Sequence, residues 1–527
     1  MGVTSRRTTW SNPPAVWIKP SNCLRKGEIL TTQSLVEKQC RLTGQKFEVS
    51  LRELEIYSSF SIEPPDLLPS ERLRVLASFQ NGRHFSWRDS NGTPLYTNQP
   101  GVVIPQEAFR QLRYEGSFLE LGLESSRPQD FFDDLLRLFT SAPRPAVFGN
   151  FEKSIGVTDV NVGDRLYFVS SSARVSIGST SEYIRDSRGF ANCLLGSNLK
   201  DCYACLDCHS SLKLAYSDGC HNCRDSYFLV GCSDCENCLF CVDLEGKSYC
   251  IDNKQVSKEE YEKVLKTLAL NTRNGLDLAL ERYSKLLAAN QPISPILNDL
   301  RNVNCYFVND VDLCADILGY SEGLSESVLS VGCGLDAKRI LGSIYCQDEV
   351  ENIYYSAYCT KSKELLGCFG LEGREFCILN KQYSEADYYR IKEEVVASLR
   401  KKRTWGRPLP FRFSDFPYNR SLAQDLFPVS KVQSSLLEVK WDDEADLMQP
   451  SKILENEASM SRLQDSPTQL SDALAATDGV YICELSGRPF QYFPVELDLC
   501  ERLNLIPSPY CYEERHRMMF SRFGNRE

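Results

Sequence analysis

The stretch Cys232-Ser-Asp-Cys235-Glu-Asn-Cys238-Leu-Phe-Cys241 sets four thiols three residues apart. Thiols at such spacing have three uses: as thiolates they ligate zinc or an iron-sulfur cluster, oxidised they form disulfides, and protonated they pack as small hydrophobes. The chain holds 23 cysteines but only four histidines, His84, His209, His221 and His516. A nucleophile pair of Cys208 with His209, or of Cys220 with His221, would join sequence neighbours that face apart on an extended segment. The sequence has no P-loop, dinucleotide fingerprint or nucleophile elbow. No catalytic constellation is found, and the reading leans away from an enzyme.

The elements that must position these thiols follow from their register. Cys193, Cys202, Cys205, Cys208, Cys220, Cys223, Cys232, Cys235, Cys238, Cys241 and Cys250 are all multiples of three residues apart, and the register from Ser154 to Leu244 has 31 positions without a charge. An α-helix drifts out of a three-residue repeat, and a flat strand alternates by two. A narrow parallel β-solenoid, or β-helix, keeps one residue in three inside. Rows twelve apart align Ser211, Cys223 and Cys235, then Cys202, Leu214, Ser226, Cys238 and Cys250, then Cys208, Cys220, Cys232 and Leu244. Outside them run Tyr203, Ala215, Tyr227, Leu239 and Ile251 beside Ala204, Tyr216, Phe228 and Phe240, an apolar stripe that must pack on this chain or on a second copy. A 24-residue coil would give the same periodicity. Because Ser, Leu, Val and Gly share the register and cannot act as such ligands, buried wall material is the preferred reading of the cysteines, with zinc or iron-sulfur ligation and disulfides as alternatives.

The segment Leu239 to Ser257 returns 127 residues later as Leu366 to Ser384, both running through Cys-Ile, Asn-Lys-Gln and a serine. Ser327-Ser330-Cys333, Ile340-Ser343-Cys346 and Ile353-Ser356-Cys359 repeat at thirteen residues before the second copy. Ser257 and Ser384 each open a helix with a capping pattern. The expected architecture is mainly β with flanking helices: a duplicated solenoid with halves at 151–256 and 301–383, and helical caps at 257–300 and 384–410. The outer stripes are expected to pack the halves together. A tail (1–37), a connecting α+β region (81–150) and an acidic, Ser-rich linker (411–475) complete the plan between two small α+β modules, A (38–80) and B (476–527).

The modules are copies. Cys40-Arg-Leu-Thr-Gly-Gln-Lys-Phe47 matches Cys483-Glu-Leu-Ser-Gly-Arg-Pro-Phe490, and at the same offset Glu53, Leu54, Pro64 and Arg72 match Glu496, Leu497, Pro507 and Arg515. A cysteine before a glycine turn is a knuckle shape, and a structural zinc site wants four ligands. Module B offers Cys483, Cys500, Cys511 and His516; module A has Tyr57 and Leu68 at two of these places and keeps Cys40, with Cys23 as a second. The expected cofactor is none, with zinc as the alternative.

These motifs, with SSRPQDFF, APRPAVFG and the CRDSYFLVGC row, resemble a group of cysteine-rich, largely uncharacterised proteins of candidate-phylum bacteria, from about residue 38 to the end. The resemblance implies zinc-ribbon or treble-clef-like terminal modules with paired cysteines. Here Ser70 and Glu513 stand near the partner positions.

A net charge of −11 argues against wholesale wrapping of nucleic acid. The basic run Arg400, Lys401, Lys402, Arg403 and Arg407, beside Trp405, is the candidate phosphate contact. Without an apolar leader or span, the chain is expected in the cytoplasm, where thiols stay reduced. The function expected is a scaffold or binding protein that offers solenoid faces and terminal modules to a protein partner or a second copy. The alternatives are a zinc or iron-sulfur metalloprotein and a nucleic-acid-associated factor.

Overall fold

The computed structural model describes residues 36–443 and 463–524, apart from 82–85, 91, 100, 123–129, 147–148, 153–157, 173–174, 182–186, 189, 192–194, 198–201, 204–206, 210–211, 291–295, 309, 322 and 477–478. Between 147 and 214 it describes strand backbone alone, so the side chains of Cys202, Cys208 and His209 are outside it, as are His84, Cys23, Cys193, Cys205 and Ser211 entirely.

The fold is mixed α/β, with large parallel sheets through the middle of the chain. Each strand pairs with the strand twelve residues on: Phe151 with Gly163, Gly163 with Val175, Phe190 with Cys202, Cys202 with Leu214, Leu214 with Ser226, and Cys238 with Cys250. The column Tyr203, Ala215, Tyr227, Leu239 and Ile251 is continuous. Strand-to-strand spacing is therefore twelve residues and not 24. In the second half Cys305 pairs with Ile317 at twelve, Ile317 with Ser330 and Ile340 with Ile353 at thirteen, and Ile353 with Leu365 and Leu365 with Cys377 at twelve again. Both halves end in an antiparallel strand, Lys254–Gln255 and Lys381–Gln382. The Ser257 and Ser384 hydroxyls then cap helices Lys258–Leu268 and Glu385–Lys401, each accepting from the amide three residues on at 3.2 Å.

The three-residue repeat has a backbone cause. From Gly219 to Asp252 every third residue has positive φ: Gly219, Asn222, Asp225, Phe228, Gly231, Asp234, Asn237, Phe240, Asp243, Gly246, Tyr249 and Asp252. The chain bends after each unit of three, so side chains one place later turn inward from Cys220 to Cys241 and at Cys250, while Lys247 and Asn253, past the end of the uncharged register, are exposed. Left-handed backbone costs an L-residue about 1–2 kcal/mol, which Gly, Asn and Asp bear best. Phe228 and Phe240 are held there by stacking, with ring centroids 4.8 Å apart and planes 8° from parallel. Where the repeat lengthens to thirteen, the extra residue enters a bend, and Gly319 with Tyr320, Leu335 with Asp336 and Asp348 with Glu349 are consecutive left-handed pairs.

The outer stripes are covered by the chain itself, each in its own cluster. Tyr216, Phe228, Leu239 and Phe240 pack with Tyr261, Leu276 and Tyr283 of the helices Lys258–Leu268 and Arg273–Asn290, and with Leu499, Leu503 and Ile506 of module B. Tyr306, Leu318, Val331, Tyr355 and Phe369 pack with Ile56 and Leu73 of module A, Phe109, Phe131 and Phe139 of the connecting region, and Tyr388 and Val395 of the helix Glu385–Lys401. The stripes therefore do not pack the halves on one another, because terminal modules and helices return over each.

The expected acidic linker also needs correction over its first half. Phe413, Tyr418, Leu422 and Leu426 are buried in the main core, and the helix Leu422–Leu426 packs on both Pro69–Ala77 of module A and Tyr512–Gly524 of module B. Charge and serine content hid an aromatic and leucine pattern. Residues 444–462 lie outside the described residues.

Candidate functional site

The inward thiols share one local geometry. Cys220, Cys232, Cys235 and Cys241 each donate Sγ–H to the carbonyl two residues earlier, at 3.4, 3.5, 3.3 and 3.4 Å. Cys305, Cys333 and Cys359 do the same at 3.5, 3.5 and 3.4 Å. Ser226, Ser330, Ser343 and Ser356 make the identical bond at 2.8, 3.0, 3.1 and 3.0 Å. The 18 cysteines whose side chains are described are all buried and none is in a disulfide. Burial pushes the thiols of Cys305, Cys346, Cys359 and Cys368 well up, Cys314 and Cys377 to about 12 and Cys235 to about 11, so these stay protonated at neutral pH. Cys241 departs from this, held down at about 7 by the hydrogen bond from Cys238. The proposed partners His209 and His221 pair as backbone neighbours on adjacent strands, and the Cys220 thiol is buried and pushed well up.

In module B the four expected ligands do not converge. Cys483 and Cys511 share one apolar cluster, and Cys500 belongs to another that packs on the first half. His516 lies 3.9 Å from Asp425 and beside the Tyr512 ring. Among the described residues no group of three or more His, Cys, Asp and Glu is arranged to hold a metal ion. Helix geometry explains the separation: Cys500 sits on the buried face of Pro494–Leu503, turned to the sheet, and His516 sits on Tyr512–Gly524, turned to Leu422–Leu426. The remaining pair still has a chemistry, since hydrogen bonding from Cys511 holds the Cys483 thiol down at about 5 while Cys511 itself is pushed up.

The basic run divides. Arg400, Arg403 and Arg407 line a cleft of about 140 Å³ against module A, with Tyr57, Ile62, Asp66, Arg72 and Trp405, whereas Lys401 and Lys402 are exposed and do not line it. Arg400 Nη2 donates to the Ser61 carbonyl at 3.1 Å, and Arg407 Nη2 reaches Asp66 at 2.6 Å. The loop is fixed in place: Gly406 N–H donates to the Tyr355 hydroxyl at 2.8 Å, which donates to the Arg407 carbonyl at 3.1 Å. Gly406 has φ +81°, and a Cβ there would come within 2.5 Å of Ile62, so glycine is required by both conformation and space.

Behind the cleft lies a network the spacing of residues did not announce. Arg72 Nη1 bonds Glu53 at 2.6 Å, Asp316 at 2.5 Å and the Tyr57 hydroxyl at 3.1 Å, all buried. Burial raises the Glu53 and Asp316 carboxyls, with Arg72 opposing. Asp316 belongs to the second half, so this network fastens module A to the sheet. The match of Glu53 and Arg72 to Glu496 and Arg515 was the available signal; Asp316, 244 residues from Arg72, had none. No family model, curated protein or solved structure matches the chain.

Proposed function

We propose that the chain is a non-enzymatic scaffold or binding protein, a duplicated narrow β-solenoid whose thiols are wall material and whose terminal modules are held ready for a macromolecular partner. The observation that carries this reading is the interchange of serine with cysteine in one hydrogen-bonding role. A metal site does not accept such exchange along a column, and the thiols that burial keeps protonated, Cys305, Cys346, Cys359 and Cys368 among them, are poor ligands and poor nucleophiles. A protein with so many free thiols suits a reducing compartment.

In this reading recognition falls to the module edges, supported by ion pairs that occupy charges on the outer face of the second half. Lys338 pairs with Glu326 and Lys363 with Glu351, each at 3.4 Å, in a ladder running across successive strands. The apolar stripe is already covered, so a homodimer through it is not part of the proposal. A second reading, a nucleic-acid-associated factor, draws on Arg400, Arg403 and Arg407 meeting on one cleft.

Metal analysis and thiol titration of anaerobically purified protein, with salt-dependent retention on DNA and RNA, separate these. Substoichiometric metal, thiols that react only on unfolding and no retention support the scaffold. Stoichiometric zinc or iron refutes it, and retention that falls steeply with salt favours the second reading.

A further inference from the structure

Two side chains that line the cleft beside module A carry buried donors that meet no acceptor of the protein. Arg72 is 1% exposed; its Nη1 is shared by three acceptors, while Nη2 and Nε have no hydrogen-bond partner. Trp405, 8% exposed, has Nε1 without a partner. Buried N–H groups without acceptors destabilise a fold, and both residues line the cleft with Arg400, Arg403 and Arg407. We propose that this cleft binds a small phosphate-bearing anion, inorganic phosphate or a phosphate monoester. The proposal rests on the binding-protein reading and names the ligand class of that site.

Charge, size and the neighbouring surface select this class. Arg400, Arg403 and Arg407 face Glu63 and Asp66 in the lining, Asp66 is already engaged by Arg407 and Arg41, and Arg72 behind them is balanced by Glu53 and Asp316. Guanidinium forks match phosphate oxygens in pairs. The cleft volume, about 140 Å³, lies below the roughly 300–1,000 Å³ of sites for drug-sized molecules, so it suits a head group. A single strand of nucleic acid would need open aromatic faces for its bases. In the adjoining groove Lys392 already sits 4.1 Å over Tyr354, and Arg339 sits 4.9 Å over Phe60. Trp405 is packed between Tyr354 and Tyr355, at 5.9 and 5.7 Å. Gly406 and the Tyr355 hydroxyl hold the loop in place, so little ordering accompanies binding.

The test is calorimetric titration of the full chain with inorganic phosphate, a phosphate monoester and a short single-stranded oligonucleotide, at constant ionic strength. Saturable phosphate or monoester binding is expected, weakened about tenfold or more by Arg403→Gln and by Arg407→Gln and unchanged by Lys401→Gln. The tighter of the two small ligands identifies the source. Arg403 is exposed on a loop, so its variant is expected to fold, as thermal melting will verify; Arg72 is avoided because it also holds module A. Absence of phosphate and monoester binding, or binding indifferent to both arginine variants, overturns the proposal. Oligonucleotide binding tighter than either small ligand and lost in the same variants also overturns it, in favour of the nucleic-acid reading. The metal and thiol assays judge the scaffold reading independently of these outcomes.

Discussion

In module A the Cys40 amide donates to the Gln45 carbonyl and the Gly44 amide to the Cys40 carbonyl, both at 2.8 Å; in module B Cys483 and Arg488, then Gly487 and Cys483, repeat these bonds at 2.8 Å. The second helix starts alike, Arg72 N–H donating to the Leu68 carbonyl at 3.0 Å and Arg515 N–H to that of Cys511 at 3.1 Å. Arg72 pairs with Glu53 at 2.6 Å, and Arg515 with Glu496 at 2.5 Å. The modules differ where each meets a different half of the sheet. Module A has Tyr57, which joins Arg72 on Asp316; module B has Cys500, which packs with Leu499 and Leu503 against Phe228 and Phe240. Module A thus adds a buried ionic network to its apolar contact with the sheet, whereas module B docks on its half through apolar contact.

Arg72→Met separates these modes most strongly. It strands two buried carboxylates, Glu53 and Asp316, and is expected to cost about 3–5 kcal/mol in urea unfolding. Arg515→Met is expected to cost less, since Arg515 pairs with a carboxylate of its own module and apolar contacts keep module B docked. Equal losses would show that the Asp316 contact adds nothing. Gly406→Ala tests the contact of module A with the arginine loop, which has no counterpart in module B. Its left-handed backbone and the closeness of Ile62 predict a loss of about 1–3 kcal/mol by the same measurement.

The cysteines sharpen the contrast by pH. The Cys483 thiol lies at about 5 against an ordinary 9.0, so its contribution to stability is in place above the ordinary value and is lost as pH falls towards about 5. Replacing its partner with the module A residue, Cys511→Leu, is expected to move the Cys483 titration upward, read as ultraviolet thiolate absorbance, and to remove that part of the pH dependence. An unchanged titration would mean that Cys511 does not hold the thiolate. The smallest effect is expected of Thr43→Ala and Ser486→Ala, which remove the matching turn hydrogen bonds at 3.3 and 3.4 Å, the second variant also losing the Ser486–Cys511 contact at 3.7 Å. Each should cost about 0.5–1.5 kcal/mol, and similarly, if the knuckles are equivalent.

The register from Gly219 to Asp252 was legible because a bend after every third residue leaves a period that neither helix nor flat strand produces. The duplicated exits at Ser257 and Ser384 were legible because capping is local. The cover on the outer stripes was not, since periodicity shows that Phe228 and Phe240 need a partner but not that Tyr283 and Leu503 supply it. The basic run was visible as a charge pattern, yet only tertiary packing divides Arg400, Arg403 and Arg407 from the two exposed lysines and sets Arg72 behind them. The separation of Cys500 from Cys483 and Cys511 was hidden for a related reason: equal spacing in two modules cannot tell a cysteine that faces its knuckle from one, like Cys500, that faces a sheet.

The central claim is that the cysteine columns are wall and not ligand. The metal-to-protein ratio of the full chain, purified without oxygen and without chelator, tests it most directly. Zinc and iron far below one ion per chain are expected of wall cysteines; a ratio of one or more that survives dialysis and falls when column cysteines are replaced by serine would make them ligands.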